Sequence, residues 1–299
     1  MRRLSVLLLS CCYLAPIPAY CWWETGHQVI ARIAVSHLTP EARLQVARLL
    51  DVENSIGAVS SALAEASLWP DQTKKETNTG NWHYIDLALQ DRKSDIAARC
   101  ENDNCVTARV SRFAAQLAGR SGGQVDTRWS DRDALRYVVH FVGDMHQPLH
   151  DISNADQGGN CEILDPPVVN AKNLHALWDG ELVNVLGPND RAIATELDRE
   201  IDALPAKQRA ELAAGDQDDW AWEGHLLAEK EIYQRLEIPR EPVEFPAKCS
   251  EAPSSITGLR LEIAPSYIEA MKPVVRGQLE KGGLRLARLL NDSLTPRNP

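Results

Sequence analysis

The chain has 299 residues, a formal net charge of -10 and an ordinary globular composition, with 25% charged and 44% hydrophobic residues. This balance argues against a largely disordered chain and against a protein that grips nucleic acid through a broad basic face. It does not exclude an enzyme whose bound cations supply the positive charge at a site.

The first residues are typical of a secretory signal. Arg2 and Arg3 precede an apolar run over residues 4–14, and Ala19 and Cys21 occupy the −3 and −1 positions of a possible cleavage site. The run is too short to span a bilayer, and no later apolar run is long enough. We therefore expect removal of residues 1–21, which takes two positive charges from −10 and leaves −12, and a secreted or periplasmic location. Lipid modification of Cys21 is the alternative, which the bulky Tyr20 disfavours.

Apolar residues at helical spacing dominate the rest of the chain. They predict helices over residues 30–50, 58–68, 106–118, 131–147, 173–185, three stretches within 190–236, and 256–291. Thr39 before Pro40 is typical of a helix N-cap. Residues 151–170 and 238–255 are predicted to be irregular. Because no repeat, low-complexity tract or linker interrupts the pattern, residues 22–299 are predicted to form a single all-α domain.

Four cysteines follow the signal, namely Cys100, Cys105, Cys161 and Cys249. An even number in an exported chain suggests disulfides, and four cysteines allow three pairings. The tight polar loop between Cys100 and Cys105 favours pairing those two, which leaves Cys161 for Cys249. Free thiols or a metal site are the alternative, but the sequence contains no Cys-x-x-Cys.

The segment from Tyr137 to His150 is both apolar and rich in histidine. On a helix over residues 131–147, His140 and Asp144 are four residues apart and share one face. Gly143 beside them leaves room for a close approach. Imidazole and carboxylate both suit zinc, so the pair predicts a metal site. The alternative is a core histidine that is hydrogen-bonded to a neighbouring carboxylate.

Other histidines and aspartates extend this pattern. His175 and Asp179 repeat the four-residue spacing on a second helix. The full set of candidate metal ligands is His27, Asp71, His83, His140, Asp144, His150, His175 and Asp179. One catalytic zinc ion needs about three protein ligands plus water, so this set indicates several ions.

These motifs resemble those of the zinc-dependent type I nucleases, the nuclease P-one and S-one family. The matching pieces are Trp22…Gly26-His27, Trp69-Pro70-Asp71, His83-Tyr84-Ile85-Asp86, His140-Phe-Val-Gly-Asp144-Met-His-Gln-Pro-Leu-His150, Gly158-Gly159-Asn160, Asn173-Leu-His175-Ala-Leu-Trp178-Asp179 and Gly283-Leu-Arg285-Leu-Ala287-Arg-Leu-Leu290-Asn291. The likeness covers almost all of the chain after the signal. It implies an all-α fold of the phospholipase C and nuclease P-one type.

The resemblance also implies a cluster of three zinc ions. Asp71, His83, His140 and Asp144 would hold one ion. Asp144 would bridge to a second ion, held also by His27 and by the amino group and carbonyl of Trp22, which signal cleavage would expose. His150, His175 and Asp179 would hold the third.

The remaining family roles concern the substrate. Asp71 is expected to orient the attacking water, and Lys74, where the family pattern has arginine, is expected to stabilise the transition state without a bidentate fork. Tyr84 is expected to stack on a base, which favours single strands. Asp86 and Asn160 are expected to contact the base.

The resemblance therefore implies an endonuclease that cleaves single-stranded DNA and RNA to 5′-phosphate products and removes phosphate from 3′-nucleotides. No membrane association and no obligate protein partner are indicated. The alternatives are a zinc-dependent phospholipase C, which Tyr84 and Asp86 disfavour, and a non-catalytic extracellular metal-binding protein. Outside the site, we expect His146 to be structural or to support a ligand, and His37 and His225 to be surface or cap residues.

Overall fold

The computed structural model describes residues 24–119 and 128–295, and most of these residues are helical, as predicted. The α-helices are α1 (Thr25–Ser36), α2 (Pro40–Leu50), α3 (Ile56–Ala66), α4 (Trp69–Thr77), α5 (Ile96–Arg99), α6 (Val106–Leu117), α7 (Asp131–Asp144), α8 (Leu174–Ala176), α9 (Leu182–Asn184), α10 (Asp190–Ala203), α11 (Ala206–Leu212), α12 (Gln217–Ala228), α13 (Ser254–Thr257) and α14 (Pro265–Leu294). Short 3₁₀ turns cover Gly80–His83, Lys93–Asp95, Glu101–Asp103, Pro148–His150 and Cys249–Glu251. A π-turn over Leu177–Glu181 joins α8 to α9, and a second one over Glu229–Gln234 continues α12.

Helix α7 lies at the centre of the bundle, in contact with α1, α6 and α14. It begins with a capping box, in which the Ser130 hydroxyl accepts from the Asp133 amide and the Asp133 side chain accepts from the Ser130 amide. Val138, Val139 and Phe141 are fully buried. The helix ends at Asp144, earlier than the predicted residue 147, because a turn precedes Pro148.

Helices α1 and α14 approach each other closely on one side of α7. A Cβ atom added at Gly283 would lie 2.4 Å from Ile33 Cγ2, and one at Gly282 would lie 2.7 Å from Ile30 Cδ1. Side chains at these positions would push the helices apart, so the glycine pair sets their spacing. This packing holds α1, which carries His27, against the core.

An aromatic cluster around Tyr137 joins α7 to α6 and to the turn that ends at His83. The Tyr137 ring stacks on Phe113 at 4.8 Å and meets Trp82 edge-on at 5.6 Å. Trp129 contacts the same ring at 5.1 Å. Because Trp82 directly precedes His83, burial of the tryptophan fixes the main chain at a candidate metal ligand.

The structure corrects the prediction that residues 151–170 are irregular. Residues Ile163–Val168 form strand β1, which pairs antiparallel with β2 (Ala171–Asn173) and parallel with β3 (Arg260–Leu261). Strand β1 contains two prolines, which disguise it as a loop in the sequence. The amide of His175 donates to Gly159 O at 3.1 Å, so the sheet and the preceding turn together locate His175.

Two disulfides, Cys100–Cys105 and Cys161–Cys249, confirm the predicted pairing. The second disulfide ties the long segment after α12 to the turn that carries Asn160. Among the described residues, no helix combines the length and apolar character needed to cross a bilayer.

Candidate metal centre

Helix α7 presents His140 and Asp144 on one buried face, with 0% and 2% of each residue exposed. His27 of α1 stacks on His140, with ring centroids 4.0 Å apart and planes inclined by 17°. A Cβ atom at position 143 would lie 2.2 Å from His27 Nδ1. The close approach expected at Gly143 is therefore used by His27, which reaches α7 only because no side chain stands there.

The first group of donors surrounds Asp144 Oδ2. His83 Nδ1 lies 3.1 Å from that oxygen and His140 Nε2 lies 3.3 Å from it. The two ring nitrogens are 3.0 Å apart. Asp71 Oδ1 is 3.6 Å from His83 Nδ1 and 3.8 Å from His140 Nε2. Four residues from three parts of the chain thus converge on one point.

The second oxygen of Asp144 faces other residues. His27 Nε2 and His150 Nδ1 each lie 3.4 Å from Asp144 Oδ1. His27, Asp71 and His140 also offer donor atoms that lie within 4.8 Å of one another. Trp22, expected beside His27, lies outside the described residues. Asp144 stands between two groups of donors, as a bridging carboxylate requires.

A third group consists of His150, His175 and Asp179. Asp179 Oδ2 is 3.2 Å from His175 Nε2, and Asp179 Oδ1 is 3.6 Å from His150 Nε2. The two imidazole rings stack with centroids 5.0 Å apart. The predicted pair at positions 175 and 179 keeps its helical spacing across the π-turn.

Main-chain carbonyl groups orient three of these imidazoles. In each ring Nδ1–H can donate to a carbonyl oxygen and leave the Nε2 lone pair facing the donor group. The pairs are His140 with Ser67 O at 2.6 Å, His150 with His83 O at 2.9 Å and His175 with Gly158 O at 2.7 Å. A lone pair that faces a carboxylate repels it unless a proton or a metal cation lies between them.

The pKa values of His150 and Asp144 reflect the close packing of carboxylates and imidazoles at the site. Burial lowers the pKa of His150, but Asp144 and Asp179 outweigh this effect and raise it to about 9. Burial raises the pKa of Asp144, yet the neighbouring histidines hold it well below its usual value. The donor set, the orientation of the rings and this field all fit metal cations coordinated by histidine and aspartate.

Lys74 lies one turn after Asp71 on α4, and its Nζ donates to Asp71 Oδ1 at 2.9 Å. Burial lowers the pKa of Lys74, but the Asp71 carboxylate outweighs it, and the net shift is upward. The ammonium group therefore stays charged beside the first donor group. It can present positive charge to a ligand that enters there.

A cavity of about 610 Å³ opens over the donors. Tyr84, Asp86 and Asn160 line this cavity together with the metal donors, except His140, which lies beneath its floor. The Tyr84 hydroxyl donates to Asn81 Oδ1 at 3.0 Å, and 37% of Tyr84 is exposed. Burial and Asp156 raise the pKa of Asp86 to about 6, against an opposing effect of Arg99. All the predicted site residues in the described range thus belong to one site.

Several residues of the site were not predicted, among them Gln147 and Phe245. Gln147 is fully buried, and its Nε2 donates to Asp179 Oδ1 at 2.6 Å. Its place between His146 and Pro148 in the central motif was the available signal. Phe245 also lines the cavity. It lies in the segment that the Cys161–Cys249 disulfide ties to the turn carrying Asn160, and no sequence pattern predicted its role.

For the histidines outside the site, the structure confirms the prediction for His146 and contradicts the one for His225. His146 is structural, as expected, because its Nδ1 contacts Val142 O at 2.6 Å and Arg285 contacts its Nε2 at 3.0 Å. The prediction for His225 was wrong. It is 1% exposed and stacks on Trp222 at 4.6 Å.

Comparison with known proteins agrees with this geometry. The family model described as S1/P1 Nuclease matches residues 22–295. "Endonuclease 2" of Arabidopsis thaliana is 29% identical over 97% of this chain and 95% of its own length. "Endonuclease 1" of the same plant is 27% identical over 90% and 86%, respectively. "Nuclease P1" of Penicillium citrinum is 24% identical over 91% and 97%.

Proposed function

Since the chain belongs to the S1/P1 nuclease family and is therefore a phosphodiester hydrolase, we propose that it cleaves single-stranded DNA and RNA to 5′-phosphate products. It also removes phosphate from 3′-nucleotides. One observation carries the proposal, namely that three groups of metal donors and an exposed tyrosine meet at the same cavity, with His140 alone of the donors beneath its floor.

The three donor groups would hold three zinc ions. Asp71, His83, His140 and Asp144 would hold the first ion, and His150, His175 and Asp179 would hold another. Asp144 and His27 would hold the remaining ion together with the amino group and carbonyl of Trp22. Zinc at these donors would supply Lewis acidity, which polarises the phosphate and makes a water molecule more acidic.

The protein groups around the donors orient the substrate. Asp71 accepts a hydrogen bond from the attacking water and thereby directs it at phosphorus. Lys74 places positive charge beside the phosphoryl oxygens, where charge builds up in the transition state. No side chain is needed as a covalent nucleophile.

Tyr84, Asp86 and Asn160 select an unpaired base. A base stacks on Tyr84 only when it has left a duplex, so single strands bind without distortion. Asp86, when ionised, accepts from donor groups on the base edge, and the Asn160 amide contacts the same nucleotide. Because stacking tolerates any base, we expect little preference among base sequences.

Export and processing complete the assembly. Residues 1–21 form the cleaved signal, and residues 22–299 form the mature domain. Cleavage before Trp22 would expose the α-amino group that is expected to help hold the second ion. Two disulfides suit an oxidising compartment, which supports a secreted or periplasmic enzyme. The relatives are named endonucleases or nucleases, which favours this function over a phospholipase C.

The decisive experiment uses mature protein that begins at Trp22. Single-stranded DNA, RNA, a 3′-nucleotide and phosphatidylcholine are incubated in parallel with and without a chelator, and zinc is counted in the same sample. We expect chelator-sensitive cleavage of the first three substrates and about three zinc ions per chain. Lipid turnover alone would overturn the proposal in favour of a phospholipase. Full zinc without any hydrolysis would leave a metal-binding scaffold.

A further inference from the structure

A second cavity of about 340 Å³ adjoins the substrate cavity. Asn81, Tyr84, Asp86 and Phe245 line both cavities. The second cavity is lined by none of the metal donors, so it extends from the tyrosine away from the metal centre. A linear polymer whose reacting group lies at the metal centre and whose first ring stacks on Tyr84 would extend into this second cavity.

Phe245 is held there as a supported aromatic surface. The Arg99 guanidinium lies over its ring, 4.7 Å from the centroid. Arg99 is itself fixed by Asp91 through two hydrogen bonds, Nε to Oδ2 at 2.7 Å and Nη2 to Oδ1 at 2.9 Å. Yet 41% of Phe245 remains exposed. The ring is therefore supported by a paired cation and still offers area to a ligand.

The main chain around Phe245 is also tied to the substrate cavity. Pro246 O accepts from Gln157 Nε2 at 3.0 Å, and Asn160 Nδ2 donates to Gln157 O at 2.9 Å. The Cys161–Cys249 disulfide closes the same connection a few residues further on. These links hold Phe245 at a set distance from the residues that meet the first base.

The polar groups of the second cavity favour a base over a phosphate. Asp91 neutralises Arg99, and Asp86 and Glu101 add negative charge that would repel an anion. Asn104 offers an amide whose Oδ1 accepts from Trp82 Nε1 at 3.1 Å, which fixes its orientation. An uncharged aromatic ring with donors and acceptors on its edge matches this lining.

We propose that the second cavity, of about 340 Å³, is a second base subsite with Phe245 as its stacking surface. It binds the nucleotide next to the one on Tyr84, on the side away from the metal centre. The inference rests on the proposed nuclease function. Tyr84 and Phe245 then act as successive stacking surfaces for an unpaired strand. A 3′-mononucleotide occupies only the Tyr84 cavity, whereas an oligonucleotide occupies both.

The test compares Phe245→Ala with Phe245→Trp and with Val243→Ala, a control in the same segment whose side chain is also exposed. For each zinc-loaded protein, KM is measured for a 3′-mononucleotide and for a single-stranded octanucleotide. The dissociation constant is measured for a phosphorothioate octanucleotide that resists cleavage. We expect Phe245→Ala to weaken octanucleotide binding roughly 5- to 100-fold and to affect the mononucleotide far less. Phe245→Trp retains the binding, and Val243→Ala matches the wild type.

Equal losses on both substrates, or unchanged octanucleotide binding by Phe245→Ala, would overturn the second subsite and leave the nuclease function standing. A wild-type protein that is loaded with zinc but cleaves neither substrate would remove the proposed function and this inference together. Zinc content and Tm, measured on every variant, separate a binding defect from a folding defect.

Discussion

The metal donors and the outer walls of the cavity differ in what holds them. His27, His140 and Asp144 are at most 2% exposed, and they lie on α1 and α7, which pack in the core. Tyr84 and Phe245 are 37% and 41% exposed, and they lie in irregular segments. These three donors are fixed by long helices, whereas the walls are fixed by a few side-chain hydrogen bonds and a disulfide.

This difference predicts two kinds of variant. Changes at the donors alter metal content and activity together, because each buried donor faces several others across 3 to 4 Å. Changes at the walls alter the affinity for substrate and leave the metals in place. A substitution in the cavity wall that released zinc would contradict this distinction. Substitutions of residues that contact a donor should have intermediate effects and would refine it.

The largest effect is expected for Asp144→Asn. The amide loses the negative charge that would attract a cation to each of two donor groups, and it offers one oxygen where both carboxylate oxygens now face histidine nitrogens. We expect zinc binding to fall in both groups and cleavage to drop at least 1000-fold, on the order of the loss of an essential catalytic group. Metal analysis and single-strand cleavage measure both effects. The exposed Asp218→Asn is the control, and retained activity in Asp144→Asn would refute the bridging role.

Lys74→Ala tests a charge beside the donors that is not itself a metal ligand. Loss of positive charge near the phosphoryl oxygens should lower kcat about 100-fold with zinc retained. Lys75→Ala, the exposed neighbour on α4, should behave as the wild type, and Lys74→Arg should keep most of the rate. Steady-state kinetics on a 3′-nucleotide distinguishes these cases. An unchanged kcat in Lys74→Ala would remove this residue from the mechanism.

Gln147→Met tests the support of one donor. Without the amide that donates to Asp179 Oδ1, the carboxylate loses its fixed orientation, so the third group should bind zinc about 10- to 100-fold more weakly. Competition with a chromogenic chelator should then show one weakened ion among those bound. Gln278→Met removes another buried amide, which contacts His146 O, and should leave all sites intact. Equal zinc affinity in the two variants would show that Gln147 serves packing only.

The difference between donors and walls also decides how far the sequence could be read. The donor pairs at positions 140 and 144 and at 175 and 179 depend on helical spacing, which is a local property of the sequence. The expected grouping of all the candidate ligands around three ions came from the resemblance to the family. The wall formed by Phe245 depends on the Cys161–Cys249 disulfide and on Gln157, which are distant in sequence. Strand β1 was missed because its prolines contradict a strand, and only its pairing with β2 and β3 overrides them.

The smallest effect is expected at Asp86, a wall residue whose pKa is raised to about 6 by burial and Asp156. Below that pH its carboxyl group is protonated and can no longer accept two hydrogen bonds from a base edge. Above that pH the carboxylate accepts both hydrogen bonds. The KM for a 3′-nucleotide should therefore fall a few-fold as the pH rises through 6, which corresponds to the free energy of about one hydrogen bond. Asp86→Asn keeps the shape without the titration. Zinc-saturated Asp86→Asn should therefore lose this change in KM while retaining any change in kcat that arises at the donors. If wild type and variant shared the same KM profile, another group would control base binding, and the assignment of Asp86 to the base edge would fall.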